Sequence, residues 1–352
     1  MKKILIVGPD IKKAKGGMAQ VIESAISDEK LNEEYNMKVF SSYKDGPLAF
    51  VILYGVMRFI AFFFTVPFYD LVHIHMTVKG SAKRKGIYVR IAKLFHKKVI
   101  VQIHRCENFT EVYQESDKKT KRSIQGTLQK ADMVLCLSSV WMKELEKTMG
   151  ITNCRYLPNG LDLQDFTYNE DGRSVLFMGR IKKEKGIREL LEAKKILEDK
   201  GIMFPLQIAG PIDHAVPYIK LSDKLGLHKV FFEGWVTGAK KRELLTHAAI
   251  MVLPSYNEGF PVSVLEGIAS GCAIVSTDFA SIHDMIDEEI VPAKDSKALA
   301  DALERMWTDP DRRKRSIHKN MERLMERFTS EKVHEKLGEY YGEVLNSGRE
   351  AK

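Results

Sequence analysis

Short apolar runs, rich in β-branched residues, alternate with longer helix-like stretches along this chain. Strands that are apolar on both faces are typical of parallel sheets covered by helices on each side. The alternation therefore predicts an α/β fold with a doubly wound sheet. In the first half the runs are "KILIVG", "MKVFS", "DLVHIHM", "KVIVQIH", "MVLCLS" and "CRYLP". The helix-like stretches lie around Met18–Glu29, Leu48–Thr65, Ser81–Phe95, Lys118–Lys130 and Val140–Thr148.

One segment interrupts this alternation, and the alternation then starts again. Residues 158–173, "PNGLDLQDFTYNEDGR", are rich in Pro, Gly, Asn and Asp, which predicts an inter-domain linker. The runs after it are "SVLFMG", "PLQIAG", "VFFEGW", "IMVLPS" and "AIVST", followed by a charged helical tail from Ser296. A length of 352 residues suits two domains. We therefore expect two tandem Rossmann-like domains with a cleft between them, where ligands bind beyond the carboxyl ends of the strands.

The charge of the chain indicates anionic partners. The formal net charge is +8 and the sequence pI is about 9.0, which suits nucleotides, nucleic acid or an anionic membrane. No RNA-recognition signature, zinc finger or basic zipper is present in the sequence, so nucleic acid is not predicted as a partner. The four cysteines lie far apart without a Cys-x-x-Cys motif, which favours the reducing cytoplasm.

The segment Pro47–Phe68 is almost wholly apolar, with Arg58 near its middle. Its length allows a transmembrane span, a helix that docks on a membrane, or a helix buried in the core. A central Arg costs about 2.5–3.5 kcal/mol in a span, and strand-like sequence closely flanks the segment. These observations disfavour the span and leave burial and membrane docking equally open.

Two glycine-containing loops follow predicted strands and are candidate phosphate sites. Gly16 and Gly17 open the helix after the first strand, where a helix N-terminus favours phosphate. The spacing is not G-x-G-x-x-G, so a nicotinamide or flavin cofactor is not predicted. In "FMGRIKKEKG", Arg180 and Lys185 could grip one diphosphate from two sides, with Lys182 and Lys183 facing solvent. The alternatives are an ordinary strand-to-helix turn and a basic surface loop.

A pair of carboxylates lies in "NEGFPVSVLEG". Glu258 lies in the loop after a strand and Glu266 within the following helix. Because the two residues lie on different elements, we expect two separate contacts and not an acid/base pair. Gly259 permits a close backbone approach, and Pro261 suits the first turn of a helix. For Glu266 the alternative is a solvent-facing helix residue.

Three histidines lie at or near predicted strand ends. His73 and His75 alternate along one strand, so they share a face. No nearby carboxylate or cysteine completes a metal set, so no metal site is predicted. His104 ends a central strand, where it could donate or accept a hydrogen bond from a ligand.

The motifs "GRIKKEKG", "LPNGLD" and "EGFPVSVLEGIASGCAIVST" together resemble glycosyltransferase family 4, whose members are retaining enzymes of the GT-B fold. The stretch "YDLVHIHMTVKGSAKRKG" looks like bacterial polysaccharide-assembly members. The resemblance implies an acceptor-binding domain over 1–165 with a returning helix over 331–352, and a donor-binding domain over 166–330. It implies catalytic roles for Arg180, Lys185, Glu258 and His104, and donor-binding roles for Gly16, Gly17, Gly259, Phe260, Pro261 and Glu266.

The resemblance also assigns particular contacts. Arg180 and Lys185 would neutralise the diphosphate, Glu258 would bind a sugar hydroxyl, and Glu266 would hold the ribose diol. His104 would lie beside the sugar and acceptor. Asn159 and Gly160 would form the linker motif. Directly after the residue that corresponds to His104, the family pattern often has Gly or Asp, whereas this chain has Arg105 and Cys106.

The implied reaction is metal-independent transfer from a nucleotide sugar, expected to be UDP-linked, to a glycan or lipid-linked acceptor. No other cofactor is expected. The implied setting is capsule or exopolysaccharide synthesis in the cytoplasm, with peripheral contact at the inner face of the plasma membrane. The alternatives are a sugar-nucleotide epimerase of similar fold and a catalytically silent subunit of a transferase complex.

Overall fold

The computed structural model describes residues 1–11, 17–44, 46–77, 80–104 and 109–347. The chain forms two compact units, one comprising Met1–Gly160 with Ser330–Lys352 and the other Leu161–Thr329. Each unit contains a six-stranded sheet whose neighbouring strands all pair in parallel. The predicted α/β fold of two tandem doubly wound units is confirmed.

The first sheet contains all six strands that the sequence predicts, in the order β2-β1-β3-β4-β5-β6. From β1 the chain moves outward to β2 and then returns to the other side of β1 to form β3. The carboxyl ends of β1 and β3 therefore flank the switch point of this sheet. The strands are β1 (Lys2–Gly8), β2 (Tyr35–Ser41), β3 (Leu71–Met76), β4 (Lys98–Ile103), β5 (Met133–Cys136) and β6 (Cys154–Tyr156).

Helices cover both faces of the first sheet. Alternate residues of β1 belong to opposite cores: Leu5 and Val7 pack on one face, and Ile4 and Ile6 on the other. The predicted helix Met18–Glu29 breaks at Asp28, whose side chain accepts a hydrogen bond from Leu31 N and caps a second helix. The helices are α1 (Gly17–Ser27), α2 (Glu29–Glu34), α3 (Leu48–Thr65), α4 (Gly80–Leu94), α5 (Phe109–Glu115), α6 (Lys118–Lys130) and α7 (Ser139–Met149).

The second sheet has the order β12-β11-β10-β7-β8-β9, so its switch point lies between β7 and β10. Five of its strands are predicted from sequence, and β12 is too short to give a pattern. The strands are β7 (Ser174–Met178), β8 (Leu206–Ala209), β9 (Val230–Gly234), β10 (Ala248–Leu253), β11 (Ala273–Thr277) and β12 (Ile290–Val291). The helices are α8 (Ile187–Asp199), α9 (Val216–Leu225), α10 (Gly238–His247), α11 (Val262–Ala269), α12 (Ile282–Met285), α13 (Ser296–Thr308) and α14 (Pro310–Arg327).

Most of the predicted linker, residues 158–173, is an ordered part of the second unit. The division between units falls at Gly160. Beyond it, Asn169 N donates to Ser270 O at 3.0 Å, and Gly172 lies so close to Ala248 that a Cβ would be 2.3 Å from its carbonyl carbon. Gly172 thus permits tight packing against β10. The composition of a segment alone does not show whether its glycines serve such packing or a flexible linker.

The last helix, α15 (Ser330–Asn346), lies in the first unit, as the resemblance implies. Gly160 and Ser330 adjoin, since a Cβ on Gly160 would lie 2.8 Å from Ser330 Cα. Further along α15, Tyr341 is fully buried against Tyr35, with ring centroids 5.4 Å apart. Tyr35 Oη donates to Gly338 O at 3.1 Å. The helix completes the core on one face of the first sheet.

Candidate active site

The candidate site of the second unit lies at the switch point of its sheet. Arg180 and Lys185 follow β7, and Glu258 follows β10, which is the strand beside β7. In open parallel sheets, ligands bind beyond the carboxyl ends of strands at such a point. Two motifs that lie 73 residues apart in sequence are therefore brought to one edge by the strand order.

Two backbone contacts join the loops that follow β7 and β10. Tyr256 N donates to Glu184 O at 2.8 Å. Gly186 has a φ of +68°, and a Cβ there would lie 2.0 Å from Pro254 O. Only glycine fits this position, because the backbone is left-handed and the neighbouring loop touches it. The two loops thus form one rigid edge, and Lys185 directly precedes the glycine that fixes it.

Lys185 and Glu258 form an ion pair across these loops. Their side chains are 25% and 15% exposed, so the pair is partly shielded from water yet reachable by a ligand. The ammonium holds Glu258 at the sheet edge, and the carboxylate likewise holds Lys185. The arrangement places one fixed cation and one hydrogen-bond acceptor side by side, which suits a ligand that carries both phosphate and hydroxyl groups.

Arg180 is an unpaired cation at the same edge. It follows Gly179 directly at the end of β7, and its side chain is exposed. Within the part of the chain that the structure describes, it makes no hydrogen bond or ion pair. Its guanidinium can therefore bind an anion without first breaking a contact, whereas Lys185 must share its contact with Glu258. Lys182 and Lys183 are exposed, as predicted.

The loop Glu258–Pro261 leads into the N-terminus of α11. Phe260 is buried, with its ring centroid 5.9 Å from that of Phe328, and Pro261 is buried at the N-cap position. No side chain caps the helix, and the amides of Val262 and Ser263 have no partner inside it. Such an end favours negative charge. Pro261 precedes the first turn, one residue from the position that the sequence predicts.

Glu266 lies on α11 and forms an ion pair with Lys241 at 2.6 Å. Glu258 and Glu266 therefore have different partners on different elements, which agrees with two separate contacts. Gly267 brings α11 close to β10, because a Cβ there would lie 2.5 Å from Met251 Sδ.

Sequence reasoning missed a tyrosine and a carboxylate beside these loops. Tyr256 Oη donates to Glu189 Oε1 at 2.7 Å. Burial, and then the hydrogen bond to Glu189, raise the pKa of Tyr256 to about 12. Glu189 Oε2 is buried without a hydrogen-bond partner among the described residues. Tyr256 directly precedes the "NEG" motif, but nothing in the sequence marks Glu189 as its partner.

His104 belongs to the first unit, where its partly exposed ring forms a histidine cluster with the buried His73 and His75 at the carboxyl edge of the sheet. His75 Nδ1 lies 2.7 Å from His104 Nε2, and His73 Nδ1 lies 2.8 Å from Tyr341 Oη. His73 and His75 share one strand face, as predicted, with ring centroids 4.3 Å apart. Burial lowers the pKa of His104 to about 4 and that of His73 to about 3, and it lowers the pKa of His75 well below 6.5. All three rings are therefore neutral at pH 7.

A buried lysine lies at the same edge of the first sheet and was not predicted as a functional residue. Lys85 Nζ donates to Val7 O at 3.1 Å and to Ser42 Oγ at 2.5 Å, which ties together the ends of β1 and β2. Burial lowers its pKa well below the usual value. Gly17 begins α1, whereas Gly16, Arg105 and Cys106 lie outside the described residues.

Within the described ranges, no group of three or more His, Cys, Asp or Glu side chains is arranged to hold a metal ion. The chain contains an Asp-x-Asp triplet, Asp309-Pro310-Asp311, but Asp309 caps α14 by accepting a hydrogen bond from Arg312 N at 2.9 Å. Metal independence stays a prediction.

The β7/β10 edge lies inside a region with a known family match. Residues 161–323 match the family described as Glycosyl transferases group 1. This match covers most of the second unit, and all the candidate residues described above for this unit lie within it.

Named relatives match the chain to different extents. The chain is 22% identical over 305 residues to the O-antigen chain mannosyltransferase C of Escherichia coli, covering 82% of this chain and 76% of that protein. It is 27% identical over 189 residues to the capsular polysaccharide biosynthesis glycosyltransferase CapM of Staphylococcus aureus, covering 50% of this chain and 47% of that protein. For three further relatives the chain spans 37% to 61% of their length, less than two thirds.

The fold of the chain also matches that of solved structures. Sucrose-phosphate synthase from Thermosynechococcus elongatus matches with a TM-score of 0.76 at 19% identity, covering 99% of this chain and 100% of that chain. The two-unit α/β architecture is therefore the GT-B fold, as the resemblance implies.

Proposed function

We propose that this chain is a retaining glycosyltransferase that moves a sugar from a nucleotide sugar to a glycan or lipid-linked saccharide. The observation that carries the proposal is the cation pair at the β7/β10 switch point. Arg180 is unpaired in the described structure, Lys185 is held by Glu258, and both lie within the family-matched region. This edge presents two cationic side chains, one of them paired with Glu258, where a diphosphate would bind.

The two cations would act on the leaving group. When the bond between sugar and diphosphate breaks, negative charge builds on the phosphate oxygens. Fixed cations bind that charge more strongly in the transition state than in the ground state, so they accelerate the step. Arg180 would bind the diphosphate through its planar guanidinium, which is always charged and donates several hydrogen bonds. Lys185 would bind it through a compact ammonium group, whose position Glu258 sets.

The carboxylates would position the donor without transferring a proton. Glu258 would accept a hydrogen bond from a sugar hydroxyl, beside the amides at the N-terminus of α11. Glu266 would hold the ribose diol, and its pairing with Lys241 sets the orientation of its carboxylate. Gly259, Phe260 and Pro261 would shape the sugar pocket through their backbone, since the latter two side chains are buried.

His104 would contact the sugar and acceptor as a neutral ring, because its pKa of about 4 keeps it uncharged at pH 7. In the same-face mechanism the departing phosphate oxygen itself takes the acceptor proton. The proposal therefore requires neither a protein base nor a metal ion.

The names of relatives support a role in bacterial surface polysaccharide synthesis. The mannosyltransferase of E. coli is named for the O-antigen chain and CapM for capsular polysaccharide. We extend this role to the present chain, with UDP as the expected nucleotide and a cytoplasmic location.

A donor panel tests the proposal. The purified chain is mixed with UDP-, GDP- and dTDP-linked sugars, and release of nucleoside diphosphate is measured with and without a chelator. We expect one donor class to react, with an unchanged rate in the chelator, and the product anomer to match the donor by NMR. The transferase assignment would be overturned if none of the donors reacts. It would also be overturned if a nucleotide sugar is converted while the bond between sugar and diphosphate stays intact.

A further inference from the structure

The helix α3 presents an apolar face that nothing in the described structure covers. Phe50–Phe68 is long and apolar enough to cross a membrane, yet only 11% of its most apolar window is buried. Burial in the core, one of the alternatives from the sequence, therefore applies to only one side of α3. On that side Phe62 is fully buried against Tyr88, with ring centroids 4.8 Å apart. The exposed large residues recur at helical spacing along one side: Ile52, Leu53, Val56, Met57, Ile60, Phe63 and Phe64.

The one charged residue of the helix faces inward. Arg58 Nε donates to Ser41 O at 2.7 Å, and its guanidinium lies 3.9 Å from the centre of the Phe40 ring. The outward face is therefore free of charge along the whole helix. In a water-exposed helix the apolar stripe normally faces the core and the charged stripe faces out. Here the outer stripe is the more apolar one.

The sheet topology excludes a transmembrane span. The helix connects β2 to β3, and both strands pair in parallel with β1, which lies between them. Both ends of α3 must therefore stay on the same side of a bilayer while the sheet is folded. A helix of about 27 Å can satisfy that condition only by lying parallel to the surface.

The charges around α3 indicate the chemistry of what covers it. The helix α4, which packs beside α3, contains five basic residues, Lys83, Arg84, Lys85, Arg90 and Lys93, and no acidic residue. The exposed stripe of the neighbouring helix α4 alternates basic and apolar side chains, namely Lys83, Ile87, Arg90 and Leu94. The first unit has 30 basic and 20 acidic residues, and the second has 25 and 27. The net positive charge thus lies in the unit that carries α3.

We propose that α3 docks in the plane of an anionic phospholipid bilayer, with its outward face in the acyl boundary and the basic residues of α4 against the headgroups. An in-plane helix with an apolar face and basic neighbours binds by buried apolar area together with attraction to anionic lipid. The inference does not depend on sugar transfer, and its test needs neither donor nor acceptor. Either proposal can therefore fail alone.

Vesicle co-sedimentation tests the docking. The full chain is mixed with vesicles of phosphatidylglycerol and phosphatidylcholine, and with vesicles of phosphatidylcholine alone. We expect binding to the anionic vesicles, weaker binding to the neutral ones, and a loss of binding in 1 M NaCl, where charges are screened within about 3 Å. Equal binding to both vesicles, or no binding to either, would overturn the proposal.

Matched variants separate α3 from general hydrophobicity. Leu53 and Phe64 are 62% and 69% exposed, so Leu53→Gln with Phe64→Gln should leave the fold intact. We expect this pair to raise the half-saturating lipid concentration by roughly tenfold or more. A second pair, Met57→Gln with Ile60→Gln, should act alike. The control pair is Met203→Gln with Met325→Gln, two exposed residues of the second unit.

Circular dichroism establishes that each variant is folded. Sedimentation velocity without lipid tests whether a second copy of the chain covers the apolar face of α3. Lipid binding by the α3 variants at the strength of the control pair would contradict the proposal. So would a stable dimer of the unsubstituted chain that the α3 variants dissociate, because a second copy would then cover the face.

Discussion

At the scale of single residues, the candidate site depends on contacts between side chains far apart in sequence. Lys185 is paired with Glu258, Glu266 with Lys241, and Tyr256 with Glu189. The sequence predicts which residues lie at the strand ends, because each follows an apolar run directly. It does not predict which carboxylate meets which cation, since that depends on the strand order β10-β7 and on the loop geometry at Gly186.

The histidine cluster should make stability depend on pH. The pKa of His104 is about 4 in the folded chain against an ordinary value of 6.5, through burial and then the charge of Lys85. Between pH 6.5 and 4 the unfolded chain binds a proton that the folded chain does not, so the free energy of unfolding falls as the pH falls. The full stability is present above pH 6.5. Below pH 4, the contribution of His104 has lowered the free energy of unfolding by roughly 3 kcal/mol.

Chemical unfolding at pH 7.0, 6.0 and 5.0 measures this loss. We expect His104→Gln to give a shallower fall with pH than the unsubstituted chain, because one of the three neutral rings is removed. His228→Gln, at an exposed histidine, is the control. An identical fall for all three proteins would contradict the assigned cause.

The pair of Tyr256 and Glu189 should be coupled in stability. Tyr256→Phe removes the donor to Glu189, whose other oxygen is already buried without a partner, so we expect a loss of about 1–3 kcal/mol. Replacing both partners, by Tyr256→Phe with Glu189→Met, should recover much of that loss because no carboxylate is then left unpaired. Urea unfolding of the two single variants and the double variant measures the coupling. Additive effects would show that the two side chains act independently.

At the scale of elements, the sequence predicts most strands and helices because burial on both faces imposes a clear pattern. It misses the break at Asp28, the helix α5 and the strand β12, where the segments are short. It also interprets residues 158–173 as a linker, although tight glycine packing makes most of them part of the second unit. The apolar segment of α3 stayed ambiguous because a buried helix and a lipid-facing helix have the same composition.

The contact at Gly186 fixes the two loops of the site and can be tested against a matched glycine. Gly186 and Gly226 both have left-handed backbone, with φ of +68° and +65°, but only Gly186 has a close neighbour. Gly226→Ala should therefore cost roughly 1–2 kcal/mol for the backbone alone. Gly186→Ala should cost roughly 1–3 kcal/mol more, through collision with Pro254, and should also abolish activity.

Thermal unfolding and the rate of nucleoside diphosphate release measure these effects together. Equal losses of stability in the two variants would show that the loops are not held by this contact. Full activity of Gly186→Ala would show that the loop position is not needed.

At the scale of the whole molecule, the features on which the proposals depend lie on different units. The second unit carries the family match and the cations Arg180 and Lys185 at the β7/β10 edge, whereas the first carries the surplus positive charge, the apolar face of α3 and the neutral histidine cluster. The proposed donor and membrane contacts therefore lie on different units. The predicted division of roles between an acceptor-binding and a donor-binding domain stays a proposal that this arrangement supports.

The central claim is that cations at the β7/β10 edge stabilise a diphosphate leaving group. The most direct test is the rate of sugar transfer at saturating donor for Arg180→Ala and Lys185→Met, with Lys183→Ala at a neighbouring exposed lysine as the control. We expect each of the first two to lower the rate by about 10²–10³-fold and the control to leave it unchanged within a few fold. An unaltered rate in Arg180→Ala or Lys185→Met, or an equal loss in Lys183→Ala, would contradict the claim.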